Sequence, residues 1–212
     1  MLNDVERRNG LRLERMRASK QWHDGRFHNP SGKEPGLEGN KLPVIGEYFF
    51  GKAEKRPRAP LPIESPLAAW TRPPASGFRV TWLGHSTALL ELDGKTVLTD
   101  PVFADRASPV SFAGPLRFHP VPARIAELPP ITAVLLSHDH YDHLCASSVR
   151  ELAKLRVPFV TSLGVGERLV RLGVDPAVIT ELDWGECAYV GGVSFRATPA
   201  QHFSGRGLGD RN

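Results

Sequence analysis

Between Ser137 and His143 the chain reads Ser-His-Asp-His-Tyr-Asp-His. His138, His140, Asp142 and His143 place four potential metal ligands within six positions, in the pattern H-x-H-x-D-H. Imidazole nitrogens suit zinc and other borderline first-row metals. On an extended or turning backbone, residues two apart point to one side, so His138 and His140 address one point in space. A turn then aims Asp142 and His143 at a second point nearby. Ligands crowded this closely suit two ions about 3.5–4 Å apart better than one, with a single nucleophilic oxygen shared between them. Each histidine alone reads better as part of a polar surface loop. Three of the chain's 8 histidines lie in this one stretch, however, and that concentration favours a metal centre.

The apolar run from Ile131 to Leu136 leads straight into the cluster and reads as a buried strand, so the ligands stand where a strand ends. Strand ends are where α/β architectures place their site residues. Three further candidates follow from the same logic. His202 comes directly after the last expected strand, Val193 to Thr198, and a distant histidine there would give a three-His set for one zinc with an open position, although taken alone it reads rather as a lone histidine near a polar terminus. Asp100 ends another strand before Pro101 and is a candidate for orienting a metal-bound imidazole through its second N–H; it reads alternatively as a turn-initiating Asp-Pro. His85, after Gly84, either lines the pocket or ends its strand.

The elements that must position these residues fall in the second part of the chain. Strands are expected at Phe78–Leu83, Ala88–Leu92 and Lys95–Leu98, the last two joined by the hairpin signal Asp93-Gly94. After an irregular, Pro-rich stretch over residues 104–130, the strand at Ile131–Leu136 is followed by a helix over Ser147–Leu155, with Ser147 or Ser148 available as its N-cap. A short strand at Pro158–Thr161 precedes a second helix, Gly166–Leu172, closed by Gly173. Short strands at Val178–Leu182, Cys187–Val190 and Val193–Thr198 complete the series. Hairpin-rich strands followed by strand–helix alternation give a mixed α/β class. Before Gly77, residues 1–20 read as a short helix, and residues 21–76 as an irregular arm whose recurrent prolines exclude long helices and central strands. Its aromatics, among them Trp22, Phe27 and Trp70, argue that it packs onto the body. The expected division is thus an arm over 1–76 and a domain over 77–212.

Composition places limits on the function. At 212 residues, 41% hydrophobic and 24% charged, the chain is long enough for one domain with a substantial core. The net charge of +4 is spread out, which disfavours a nucleic-acid role and leaves room for weak peripheral contact with an anionic membrane surface. Cys145 and Cys187 form no disulfide framework, and the charged N-terminus has no signal-peptide core, so a cytoplasmic setting is expected, with membrane association possible. The sequence leaves the oligomeric state open.

At this point the residues resemble a known family. His138-x-His140-x-Asp142-His143 is similar to the signature of the metallo-β-lactamase-fold hydrolases. Thr81–Thr87, Leu98–Phe103, Ser137–Leu144 and Pro199–Arg206 resemble the branch containing N-acyl-phosphatidylethanolamine phospholipase D and its bacterial relatives, as does Asp24–Pro30 in the arm. The resemblance implies an αββα sandwich with the site at one edge. It implies that His138, His140 and His202 hold a first zinc, that Asp142 and His143 begin a second site, that Asp142 also handles the proton, and that Asp100 supports the ligands. The implied reaction is hydrolysis by a metal-bound hydroxide, most naturally of a phospholipid-like or other small phosphodiester. Cys145 stands where members of the branch often carry Asp, and reads as a small buried hydrophobe.

The resemblance also implies two ligands well downstream of His202, a bridging Asp and a final His. Asp210 lies too close to His202 to match the first. The expectation is therefore the N-terminal portion of the sandwich, with one zinc plausible where the complete site takes two, and with a hydrophobic sheet face left uncovered. Alternative readings are a catalytically incomplete or non-catalytic metal-binding protein, and a lactonase or thioesterase on the same fold.

Overall fold

The computed structural model describes residues 4–32, 42–52, 54, 57–110 and 112–206. Asp210, weighed above as a ligand, lies outside the described residues. The centre of the molecule is a six-stranded sheet formed by β3 (Phe78–Gly84), β4 (Thr87–Leu92), β5 (Lys95–Thr99), β6 (Ala133–Leu136), β7 (Phe159–Ser162) and β8 (Ile179–Leu182), in that spatial order. The first three are antiparallel neighbours, and β5 to β8 run parallel. The Asp93-Gly94 turn joins β4 to β5 with both residues at positive φ, 46° and 79°, the twist a two-residue hairpin needs.

Register explains the layering. Leu89, Leu98, Val134, Phe159 and Ile179 stand side by side across β4 to β8, forming one apolar row. Against this face pack α4 (Ala146–Lys154), through Val149 and Leu152, and α5 (Gly166–Arg171), through Leu169. The i, i+3 spacing of Val149 and Leu152 is what turns α4 toward the sheet. Truncating a fully buried residue of this cluster such as Leu152 would cost about 2–5 kcal/mol. Along the other face, Val80, Leu90, Val97 and Ala133 align. That face is met by a separate hairpin, β9 (Cys187–Val190) and β10 (Val193–Arg196), whose Phe195 packs with Val97 and Val160. The layers are thus helix, sheet and small hairpin, the mixed α/β arrangement expected, with its α, β and second β layers in order.

Three details differ from the sequence reading. Strand β10 stops at Arg196, so His202 does not follow a strand directly; Ala197 to His202 has no regular structure. Helix α4 is capped by Cys145, not by Ser147 or Ser148, and the buried cysteine makes no side-chain cap. Residues 21–76 hold more helix than their prolines suggested: α2 (Leu42–Phe50) and a short α3 (Leu67–Trp70) follow the small hairpin β1 (Trp22–His23) and β2 (Arg26–Phe27). The helix expected over residues 1–20 is α1 (Asp4–Ala18), 15 residues long. Pro43 lies in the first turn of α2, where its missing N–H leaves no helical bond unmade.

Helix α1 is fastened to the body by charge. Arg12 donates from Nε to Glu181 Oε2 at 2.5 Å, and both side chains are 8% exposed. The other Glu181 oxygen accepts from the backbone N–H groups of Gly164 and Gly166. Gly166 permits this approach, because a Cβ there would lie 2.6 Å from the Glu181 carboxyl carbon.

Candidate metal centre

Because β5 to β8 are parallel, their C-terminal ends share one edge of the sheet, and β3 ends there too. Asp100 follows β5, the Ser137–His143 loop follows β6, Ser162 closes β7, and His85 sits in the turn after β3. This edge collects residues that are distant in sequence.

At its centre three imidazoles converge. His138 Nε2 lies 3.0 Å from His140 Nδ1, and His202 Nε2 lies 3.3 Å from the same atom. One ring nitrogen from each of the three falls within 4.8 Å of the other two. Donors on one tetrahedral zinc, with bonds of about 2.0–2.1 Å, stand roughly 3.3 Å apart. The observed separations of 3.0 and 3.3 Å match that spacing, so the three nitrogens could share one cation at their meeting point. The donor set fits a zinc-like ion.

The tautomers follow from the surrounding bonds. Asp100 is 9% exposed and uses both carboxylate oxygens. Oδ1 accepts from the Ser137 backbone N–H at 2.8 Å, and Oδ2 accepts from Ser137 Oγ and from His143 Nδ1, each at 2.9 Å. His143 therefore carries its proton on Nδ1 and presents Nε2 as a donor atom. Ser137 Oγ, having given its proton to Asp100, accepts from His138 Nδ1 at 2.9 Å, which frees His138 Nε2 for the cluster. Asp100 thus bonds to His143 directly and reaches His138 through Ser137. Its φ of +40° is a strained value that the hydrogen bonds around it hold in place.

Asp142 and His143 lie beside the three-His group. His143 Nε2 stands 3.8 Å from Asp142 Oδ2, so the pair faces a second point next to the first. His85, at φ +53°, puts Nε2 3.3 Å from Asp142 Oδ2, and Ser86 Oγ donates to the Asp142 carbonyl at 2.5 Å. The turn after β3 therefore contacts Asp142 at both side chain and backbone.

Electrostatics favour neutral imidazoles at His138 and His140. Burial, together with His143, His140 and His202, pushes the His138 imidazole down to about 4. Burial and His202 also lower His140. Burial pulls His143 down, but its hydrogen bond to Asp100 and the charges of Asp100 and Asp142 outweigh this and raise it. Burial works against the Asp142 carboxylate, yet the His85 hydrogen bond and neighbouring positive charge lower its pKa and keep it ionised.

Sequence reasoning named all of the converging histidines but passed over three residues that hold them. Ser137 links Asp100 to His138. Asp139, 3% exposed between two ligands, and Asn29, whose Nδ2 donates to the His202 carbonyl, reach the cluster from the loop and the arm. Ser137 could have been found from its position between strand and motif. Asn29 could not, because only the fold brings the arm to this edge. A second group, His23, Asp24 and His28, also brings donor atoms within 4.8 Å, but its rings stack face to face and Asp24 is 89% exposed.

Beside the imidazoles, a cavity of about 730 Å³ runs across the hairpin side of the sheet. Phe27, Leu135, Val160, Leu163, Leu182 and Phe195 give it apolar walls, and Ser137, His138, His143 and His202 stand at its polar end.

Comparison with known proteins places this geometry. An uncharacterized protein of Mycobacterium tuberculosis is 48% identical over 166 residues, covering 78% of this chain and 44% of that protein. The N-acyl-phosphatidylethanolamine-hydrolyzing phospholipase D 1 of Caenorhabditis elegans is 41% identical over 146 residues, covering 65% of this chain and 41% of the worm protein. The chain thus spans less than half the length of these curated relatives. Among solved structures, Igni18, a metallo hydrolase of Ignicoccus hospitalis, superposes on 60% of this chain and 50% of its own with a TM-score of 0.45 at 19% identity. The sequence profile of the beta-lactamase superfamily domain matches residues 95–212, which include the whole ligand loop and His202, and the chain belongs to that superfamily.

Proposed function

We propose that the chain carries the metal-binding half-site of a zinc-dependent phosphodiesterase of phospholipase D type, acting on a phospholipid-like substrate. The observation that carries this reading is the convergence of His138, His140 and His202 beside a large apolar cavity whose lining includes His138 and His202. A lipid phosphodiester has the same division, with a charged phosphate at one end and apolar chains at the other. The similarity to the worm phospholipase D supports the same substrate class.

In this reading His138, His140 and His202 hold the first ion, and Asp142 with His143 begins the second. Zinc, when bound, lowers the pKa of water to about 7 and polarises a phosphoryl oxygen. The chain's own residues do the rest. Asp100 fixes His143 through Nδ1 and reaches His138 through Ser137. Asp142, ionised and beside His85, accepts the proton released in hydrolysis. The cavity wall excludes water from the apolar part of the substrate. A membrane surface is the natural source of such a substrate, and peripheral contact with it belongs to the same proposal.

A second reading has its own observation. Among the described residues only the three histidines form a closed donor group at this edge, while Asp142 and His143 are a pair. The chain would then bind one ion without turnover. Metal analysis of purified protein, run with assays on bis-p-nitrophenyl phosphate, a phosphodiester lipid, a lactone and a thioester, separates the readings. Two zinc per chain with phosphodiester turnover supports the first. One zinc and no turnover supports the second, and turnover of the lactone or thioester alone refutes the substrate class.

A further inference from the structure

His202 must reach His140 from a segment that has left its strand. It lies six residues beyond Arg196, the last residue of β10, and no regular structure intervenes. An irregular segment holds a ligand at a fixed point only if other bonds remove its freedom. The Asn29 bond to the His202 carbonyl is exposed and 3.2 Å long, which makes it a weak tether. The stronger fastening lies just after the ligand, at Gly205 and Arg206.

Resting on the metal-centre reading above, we propose that Asp139 is the positioning residue that delivers His202 to the cluster. Asp139 donates nothing to the converging imidazoles. Its side chain is 5% exposed, and both carboxylate oxygens are engaged. Oδ2 pairs with Arg168 Nε of α5 at 2.5 Å, and Oδ1 accepts from the Gly205 backbone N–H at 2.7 Å. Gly205 sits at φ +109°, a conformation that glycine adopts freely. Arg206 completes the knot. Its Nε donates to the Asp139 carbonyl at 2.5 Å, its guanidinium donates to the Leu144 carbonyl, and its Cζ lies 4.3 Å from the centre of the Tyr141 ring. The segment carrying His202 is thereby clamped to the loop carrying His138 and His140, and that loop is braced on α5. A charge-assisted bond to a backbone N–H inside a buried setting is strong enough for the task. The two ends of the site are joined through Asp139.

A purely structural ion pair between Asp139 and Arg168 would affect folding stability alone. The proposal demands coupling to His202, which a double-mutant cycle reads directly. Zinc affinity by chelator competition, and the visible spectrum of the cobalt-substituted protein, are measured for wild type, Asp139→Ala, His202→Ala and the double variant. Asp139→Ala is expected to weaken binding by about 10–100-fold, the range for residues that orient ligands. His202→Ala should weaken the wild type strongly and the Asp139→Ala protein little. Asp139→Asn keeps an acceptor for Gly205 and should retain most of the affinity. If Asp139→Ala fails to fold, Arg206→Met removes the bonds to the Asp139 and Leu144 carbonyls while sparing the Arg168 pair, and should reproduce part of the loss. Wild-type affinity in Asp139→Ala, or in Arg206→Met where Asp139→Ala does not fold, overturns the proposal alone, as does a His202→Ala penalty equal in both backgrounds. A wild-type protein that takes up no cobalt overturns the metal-centre reading and the proposal with it.

Discussion

Asp100 shows how much one side chain can organise. It holds the Ser137 backbone and hydroxyl and His143 Nδ1, and its carbonyl accepts from Thr87 Oγ1. Asp100→Asn preserves shape and tolerates the positive φ, but its amide nitrogen cannot accept from both Ser137 and His143. Metal affinity should fall by about 10–100-fold, and unfolding free energy by about 1–3 kcal/mol for the unsatisfied partner. Chelator competition and urea denaturation measure the two effects, and unchanged affinity would remove Asp100 from the ligand network. The histidines make a prediction about pH. In metal-free protein, unfolded His138 takes up a proton near 6.5, whereas the folded residue does so only near 4. The unfolded state therefore binds the proton first. This contribution to stability is complete above pH 6.5 and is lost as pH falls toward 4. His143, raised on balance, has the opposite sign: its contribution is present below 6.5 and is lost as pH rises through its folded value. Urea midpoints of chelator-treated protein should fall between pH 6.5 and 4, and His138→Ala should flatten that fall. The same slope in the variant would rule out His138 as its source.

Among the elements, α1 is the one whose role the sequence concealed. Its inward positions Arg12 and Met16, with Ser19 just past its end, recur at helical spacing, but two of the three are polar. Apolar periodicity therefore marked the helix only faintly, while Leu11 and Leu13 face solvent at 54% and 40% exposure. What secures α1 is the Arg12–Glu181 pair under the α5 entry. Removing one member of a buried pair leaves the other uncompensated. Arg12→Met should cost about 3 kcal/mol for that reason, whereas Arg17→Met on the exposed side should stay within about 0.5 kcal/mol. Urea unfolding of the two variants checks this, and equal costs would show that α1 is held by something else. Elsewhere the elements were legible because their signals are local. Alternation marked β3, and Asp93-Gly94 marked the hairpin of β4 and β5. Helix α2 was not legible, since a first-turn proline looks the same in sequence as a helix-breaking one.

At the scale of the molecule, the two faces of the sheet are unequal. Helices cover one side along its length, while on the other the β9–β10 hairpin packs over the middle strands. Phe78, Val80 and Trp82 of β3 are consequently 52%, 52% and 59% exposed on the hairpin side. An exposed apolar stripe on an edge strand invites association. Phe78→Thr with Val80→Thr should change unfolding free energy by about 0.5 kcal/mol or less per site, and should reduce self-association in light scattering. Unchanged scattering would show that this face is not sticky. None of the described helices is long and apolar enough to cross a membrane.

The sequence by itself determined the chemistry of the centre. H-x-H-x-D-H is a local pattern, and the apolar strand before it fixes its place at a sheet edge, so identity and approximate position can be read from neighbouring residues alone. It determined most of the sheet for the same reason. The tertiary structure decided how distant parts meet. His202 arrives from a segment with no regular structure, held by Asp139 at Gly205 and contacted by Asn29 from the arm. Which hydrogen-bond partner waits at the far end of a long loop is a matter of packing, and no periodicity in the chain encodes it.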